Sequence, residues 1–217
     1  MEEVISYPNL LVNSLRIEHG KARGIVWEMV GSWEEMLQKF EQPDLYIEEL
    51  GKLASEHRKR EFLGVRLALK ALLGKELVVI YNEDGKPFLS DKSFHISISH
   101  SKNWIAVLVH PSLEIGIDIE CPSPKIEKVY TRFLSELEQQ EIYIENDPRK
   151  LHLAWSVKEA LYKIIGKEAV DFSKQLRILP FKLKNEGEMS ALHVPSLQKY
   201  KLFYLQNEAY TLVYCLA

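Results

Sequence analysis

The sequence predicts an α+β protein of two halves, each a long helix combined with an antiparallel sheet. Three observations point there: two well-capped helical segments, two groups of short strand-like runs, and a proline-rich piece between them. Residues 32–40 and 44–53 read as short amphipathic surface helices. The first long helix starts after Ser55, a good N-cap, and runs to Leu73, where Gly74 stops it. Its apolar positions are only roughly periodic, which predicts burial between layers rather than one wet face. Strands follow at 77–81, 94–99 and 104–110, with a turn at Asp84-Gly85, making a helix and a β-meander. A fourth strand, 114–120, leads into Cys121-Pro122-Ser123-Pro124, which cannot continue a central strand and marks the crossing between halves. The halves are taken as residues 1–113 and 114–217.

In the second half, Ser135-Glu136-Leu137-Glu138 has the capping-box form for a helix to about residue 144. Asp147-Pro148 then gives an N-cap with proline at the first helical position, and Gly166 closes that helix. Leu153, Val157, Ala160, Leu161 and Ile164 form its apolar stripe. Strands near 176–183, 200–205 and 210–216 complete a second helix-then-meander pattern. A pseudo-duplicated layout with a cleft where the halves meet is expected, a location that suits a small-molecule site.

The composition narrows the function. The 217 residues are 46% hydrophobic with a formal net charge of −3, which lacks the basic excess of a backbone-neutralising nucleic-acid binder. The longest strongly apolar run, residues 104–109, falls far short of a bilayer span of roughly 20 residues. Neither nucleic acid nor membrane is an expected partner. Met1-Glu2-Glu3 is acidic where a secretory signal is basic, so a cytoplasmic location is expected. Cys121 and Cys215 have no metal-binding or CxxC spacing and read as reduced structural thiols.

Two acidic features carry chemistry. Ile115-Gly116-Ile117-Asp118-Ile119-Glu120 alternates strictly, so Asp118 and Glu120 share one strand face opposite the isoleucines. Such a pair is either solvated at a sheet edge or a set of oxygen ligands for a hard divalent cation such as Mg²⁺. In the second long helix, Trp155, Glu159 and Lys163 are spaced i, i+4, i+8 along one face, apart from the apolar stripe. Glu159 and Lys163 are either a surface ion pair or a third acid and a cation for the same site.

Taken together, Ile-Gly-Ile-Asp-Ile-Glu and Trp155-Ser156-Val157-Lys158-Glu159-Ala160-Leu161-Tyr162-Lys163 resemble the two signature motifs of the 4′-phosphopantetheinyl transferases, (V/I)G(I/V)DxE and (F/W)(S/C/T)xKExxxK. The 41 residues from Asp118 to Glu159 suit that family's spacing. Lys59-Arg60-Glu61-Phe62-Leu63-Gly64-Val65-Arg66 is similar to its KRxEFLAGR helix, Gly85-Lys86-Pro87 to its GKP turn, the segment 94–101 to FNISHS, and Arg132-Phe133-Leu134-Ser135 to RFFS. The resemblance covers about residues 55–167. Length and layout favour the larger, monomeric surfactin-synthetase-activating (Sfp) type over the short trimeric type.

The resemblance implies Mg²⁺-dependent transfer of the 4′-phosphopantetheine group of coenzyme A to a serine hydroxyl of an apo acyl or peptidyl carrier protein, with release of 3′,5′-ADP. Asp118, Glu120 and Glu159 are then the metal ligands, with Mn²⁺ an acceptable substitute. Glu159 is the implied general base, directly or through a metal-held water, and Lys163 neutralises pyrophosphate charge or protonates the departing bisphosphate. Arg60, Arg66, Lys86, Ser99, His100 and Lys158 are the implied coenzyme A contacts, the first half binding the cofactor and the second supplying the metal-site helix and carrier docking. Arg60 offers a bidentate fork to phosphate. Upstream of it, residues 48–56 are of mixed charge where relatives carry extra basic residues, which leaves the share of Arg58 and Lys59 open. Phe133 and Leu134 are either core residues or an apolar surface for a carrier helix. A non-catalytic carrier-docking module and a metal-dependent phosphohydrolase are the competing readings; product analysis separates them, because only the transferase modifies a protein serine.

Overall fold

A computed structural model describes residues 11, 14–142, 147–166 and 170–217, and the chain groups into two units, Met1–Ser112 and Leu113–Ala217. The acidic N-terminal tripeptide and the expected helix end near residue 144 lie outside the described residues.

The first unit opens with a hairpin of β1 (Leu15–His19) and β2 (Ala22–Glu28). Ser32 caps α1 (Trp33–Leu37) in a reciprocal capping box with Glu35, and α2 (Asp44–Lys52) follows. The long helix α3 (Glu56–Leu73) begins where the Ser55 hydroxyl accepts the Arg58 N–H at 3.2 Å and ends at Gly74, whose φ of 74° is the left-handed turn that glycine enters without steric cost. Then come β3 (Val79–Tyr81), β4 (Pro87–Leu89), β5 (His95–Ser101) and β6 (Trp104–His110). The four-stranded sheet has the order β1-β2-β6-β5, and β3 pairs only with β4 in a separate ribbon. This corrects the expected meander. Residues Ile105 to Val109 of β6 are fully buried, so β6 sits in the middle of the sheet, and β2 rather than β3 fills its second edge. Leu63, Leu67 and Leu69 of α3 join Ile25, Trp27, Ile96, Ile105 and Val107 of the sheet in one core.

The second unit begins with β7 (Ile115–Glu120), then α4 (Ile126–Val129), a 3₁₀ turn at Tyr130–Arg132, α5 (Glu136–Ile142), the long α6 (Pro148–Ile165) and α7 (Phe172–Gln175). Strands β8 (Leu176–Ile178), β9 (Glu186–His193), β10 (Gln198–Gln206) and β11 (Thr211–Leu216) close it. The sheet order is β7-β11-β10-β9-β8, antiparallel throughout. The proline-rich piece is therefore not the crossing between units. Strand β7, which precedes it, pairs with β11 from Ile115↔Leu216 to Glu120↔Thr211 and belongs to the second sheet. Leu153, Val157, Ala160 and Leu161 of α6 pack on Leu202, Val213 and Cys215 as the stripe predicts.

The protein is thus a mixed helix and antiparallel-sheet fold, with one 18-residue helix in each unit. Among the described residues no helix is long and apolar enough to cross a membrane. Both cysteines are free and buried, and burial pushes the Cys215 thiol up to about 12.

Candidate active site

The acidic face is built by the contact between β7 and α6. Asp118 stands opposite Val213 of β11, so Asp118 shares its sheet face with the residues on which α6 packs. Helix and strand meet at Gly116: a Cβ there would lie 2.0 Å from the Ala160 carbonyl oxygen and 2.9 Å from its carbon, both backbone. Only glycine permits this approach. Gly116→Ala is expected to push α6 off β7 and to lower the unfolding free energy by about 1–3 kcal/mol, measurable by chemical denaturation.

At this distance the helix face with Trp155, Glu159 and Lys163 meets the carboxylates. The Lys163 ammonium donates to the Ile117 carbonyl at 2.6 Å and to Asp118 Oδ1 at 3.0 Å. The Trp155 indole N–H donates to Glu120 Oε1 at 3.2 Å, its ring held edge-on by Phe133 at 5.2 Å. Glu159 is pushed up to about 7, first by burial, then by the Asp118 charge; Lys163 pulls it down and Glu120 adds to the rise. Burial and anion crowding therefore outweigh the one ammonium.

Among the described residues no three His, Cys, Asp or Glu side chains are drawn together for a metal ion. In this arrangement Asp118 is paired with Lys163 and Glu120 with the Trp155 indole. The donor chemistry nonetheless fits a hard divalent cation: three carboxylates within electrostatic reach, one of them carrying a charge it can barely sustain.

Lys158, one residue before Glu159, is elsewhere. It is fully buried and donates to the Phe133, Phe172 and Leu176 carbonyls at 2.6, 2.9 and 2.8 Å and to Glu138 Oε2 at 2.8 Å. Glu138, equally buried, also accepts from the Ser135 N–H and hydroxyl and from the Ile178 N–H. The expected phosphate contact of Lys158 is therefore corrected: its donors are spent on tying α6 to α5, α7 and β8. Phe133 and Leu134, each 1% exposed, are core residues rather than a docking surface.

The first-unit candidates divide similarly. Arg60 donates to the Met29 carbonyl through Nη2, and its buried Nε makes no hydrogen bond among the described residues. Lys86 sits in a turn closed by Asn82, whose side-chain oxygen accepts the Lys86 N–H at 2.8 Å, with Gly85 at φ 77°. His100 is exposed on β5 and gives Nδ1 to Glu61 Oε1 at 2.9 Å. Two candidates are set apart from these. Arg66 is buried, stacked 3.4 Å over the Phe62 ring and bonded to the Phe62 carbonyl. Ser99 lies on the opposite face of β5 from His100 and does not stand beside it. Sequence reasoning passed over Glu61 and Glu138 as actors. Their spacing to His57 and Arg58, and to Ser135, was legible, but not the distant partners His100 and Lys158.

Comparison with known proteins places this face. The chain is 30% identical over 156 residues to the 4′-phosphopantetheinyl transferase psf-1 of Bacillus pumilus, covering 67% of this chain and 63% of that protein. It is 32% identical over 127 residues to the 4′-phosphopantetheinyl transferase HetI of Nostoc sp. (51% and 53%) and 30% identical over 118 residues to the 4′-phosphopantetheinyl transferase AcpT of Salmonella typhi (52% and 62%). The chain spans 50% to 63% of the length of the curated relatives it matches. Residues 114–215, which contain β7, α6 and every acid of the candidate site, match the model of the 4′-phosphopantetheinyl transferase superfamily.

Proposed function

We propose that the protein transfers the 4′-phosphopantetheine group of coenzyme A to a serine hydroxyl of an acyl or peptidyl carrier protein, converting apo to holo carrier and releasing 3′,5′-ADP. The observation that carries this reading is the meeting of two motif blocks 41 residues apart, with Lys163 on Asp118, Trp155 on Glu120, and Glu159 between burial and two neighbouring anions. The relatives' names support it. In this reading Asp118, Glu120 and Glu159 hold Mg²⁺, with Mn²⁺ an acceptable substitute. The cation supplies Lewis-acid stabilisation of pyrophosphate charge when bound.

The chain's own residues do the rest. The serine oxygen forms a bond to the pantetheine-side phosphorus, the bridging P–O bond to 3′,5′-ADP breaks, and the serine proton passes to Glu159. Without a cation, burial and the Asp118 charge hold the Glu159 carboxyl up to about 7; a bound cation offsets that rise, so Glu159 would meet the serine proton as a carboxylate. Lys163, one turn further along the same face, opposes the charge that develops on the pyrophosphate oxygens. Arg60, Lys86 and His100 are assigned to the phosphates of coenzyme A; the buried Nε of Arg60, without a hydrogen bond among the described residues, leaves donor capacity on that guanidinium. The Sfp subtype, a monomeric state, a cytoplasmic location, and the division into a coenzyme A-binding half (1–113) and a carrier-docking half (114–217) belong to the same proposal.

The test is intact-mass analysis of several apo carrier proteins incubated with the protein, coenzyme A and Mg²⁺. A gain of one phosphopantetheine that disappears with EDTA, and on a carrier whose serine is replaced, is the expected result. Hydrolysis of coenzyme A without a mass gain on any carrier would instead favour the phosphohydrolase.

A further inference from the structure

Glu61 is an unusual residue to find on the helix that carries Arg60. It is 7% exposed, yet both of its oxygens are engaged by groups that carry or can carry positive charge. Oε1 meets His100 Nδ1 at 2.9 Å and His57 Nε2 at 3.1 Å, and Oε2 accepts from Arg58 Nη1 at 2.7 Å. His57 and Arg58 come from the preceding turn of α3, whereas His100 comes from β5. The alternation of β5 makes this possible: Ile96, Ile98 and His100 share one face, and Ile96 and Ile98 pack into the core that α3 closes. That packing brings the imidazole over the first turns of α3.

A carboxylate among residues assigned to bind phosphate opposes the anion by its charge, so its presence calls for another role. We infer that Glu61 is a positioning residue that sets the orientation of His100, and with it Arg58, for reading the 3′-phosphate of coenzyme A. The inference rests on the coenzyme A reading of His100 proposed above. A carboxylate only accepts, so Nδ1 facing Glu61 carries a hydrogen and the ring geometry turns Nε2 away from α3; in the imidazolium form, which Glu61 favours by its charge, Nε2 also carries a hydrogen and can donate to a phosphate oxygen. His57 and Arg58 keep the surroundings of Glu61 from becoming net negative. Glu61 narrows the rotamers open to the exposed imidazole of His100, which lowers the entropy cost of binding through it.

The test compares the binding of coenzyme A and of 3′-dephospho-coenzyme A by calorimetry for the wild type, His100→Ala and Glu61→Gln, with the melting temperature of each. Glu61→Gln keeps the side chain's shape and one acceptor. It is expected to weaken coenzyme A by about 10-fold while leaving the dephospho form unchanged, the size of one lost charge-assisted contact. A purely structural Glu61 would lower the melting temperature and weaken both ligands alike, which would overturn the inference. If His100→Ala collapses the preference for coenzyme A and Glu61→Gln does not, the positioning role is wrong while the His100 reading stands. If His100→Ala leaves the preference intact, His100 does not read the 3′-phosphate, and the inference falls with that reading.

Discussion

Asp118→Asn and Glu159→Gln are each expected to reduce the proposed transfer to carrier protein by about 1,000-fold or more, the scale on which preorganised charge acts in phosphoryl transfer. The two variants should differ in stability, and the difference tests the electrostatics. Asp118 accepts the Lys163 ammonium at 3.0 Å, so neutralising it weakens a pairing that the folded protein uses. Glu159 is the opposite case. Its folded value is raised from 4.5 to about 7, so between those limits the folded state holds a proton that the unfolded state has lost, and stability falls as pH rises through that window. Glu159→Gln removes that penalty. Its melting temperature near neutrality should equal or exceed that of the wild type in EDTA, and should no longer decline from pH 5 to pH 7 to the same extent. A catalytically dead protein that is no less stable is the signature of a carboxylate kept for chemistry. Wild-type activity in either variant would refute the acidic site.

Lys158→Met is expected to cost about 3–5 kcal/mol of unfolding free energy, measured by urea or guanidinium denaturation. The loss comes from what the lysine leaves behind: the fully buried Glu138 carboxylate and the carbonyls of Phe133, Phe172 and Leu176, each within 2.6–2.9 Å of the ammonium. Adding Glu138→Leu to Lys158→Met should recover part of the loss, because a buried charge without its partner costs more than an apolar pair of similar volume. Recovery will be partial, since Glu138 also accepts from Ser135 and Ile178. If Lys158→Met unfolds at the wild-type denaturant concentration, the four contacts carry no net stability. Activity in this variant should fall with the folded fraction rather than through coenzyme A affinity, which distinguishes a core anchor from a phosphate contact.

These two neighbours on α6 show how far the sequence reaches. The motif Trp155-Ser156-Val157-Lys158-Glu159 and the i, i+4, i+8 spacing to Lys163 suffice to place Trp155, Glu159 and Lys163 on one face, because helical periodicity is local. The same holds for the alternation that puts Asp118 beside Glu120, and for the caps at Ser55, Gly74, Ser135 and Asp147, where the neighbouring backbone supplies the partners. Both long helices and strand β6 were therefore legible to within a residue.

What remained hidden depends on residues far apart in the chain. The hairpin of β1 and β2 has few strong strand formers outside Ile25 to Trp27, and its place beside β6 follows from what covers a fully buried central strand. The proline-rich piece looked like a boundary because proline ends a strand, but only the pairing of β7 with β11 decides which sheet that strand joins. A lysine beside the motif glutamate reads as a phosphate ligand until Glu138, 20 residues earlier, is found against it in the core. Local pattern determined which residues share a face; only the tertiary structure decided what each face meets, because burial and charge pairing are set by contacts between elements that sequence spacing does not encode.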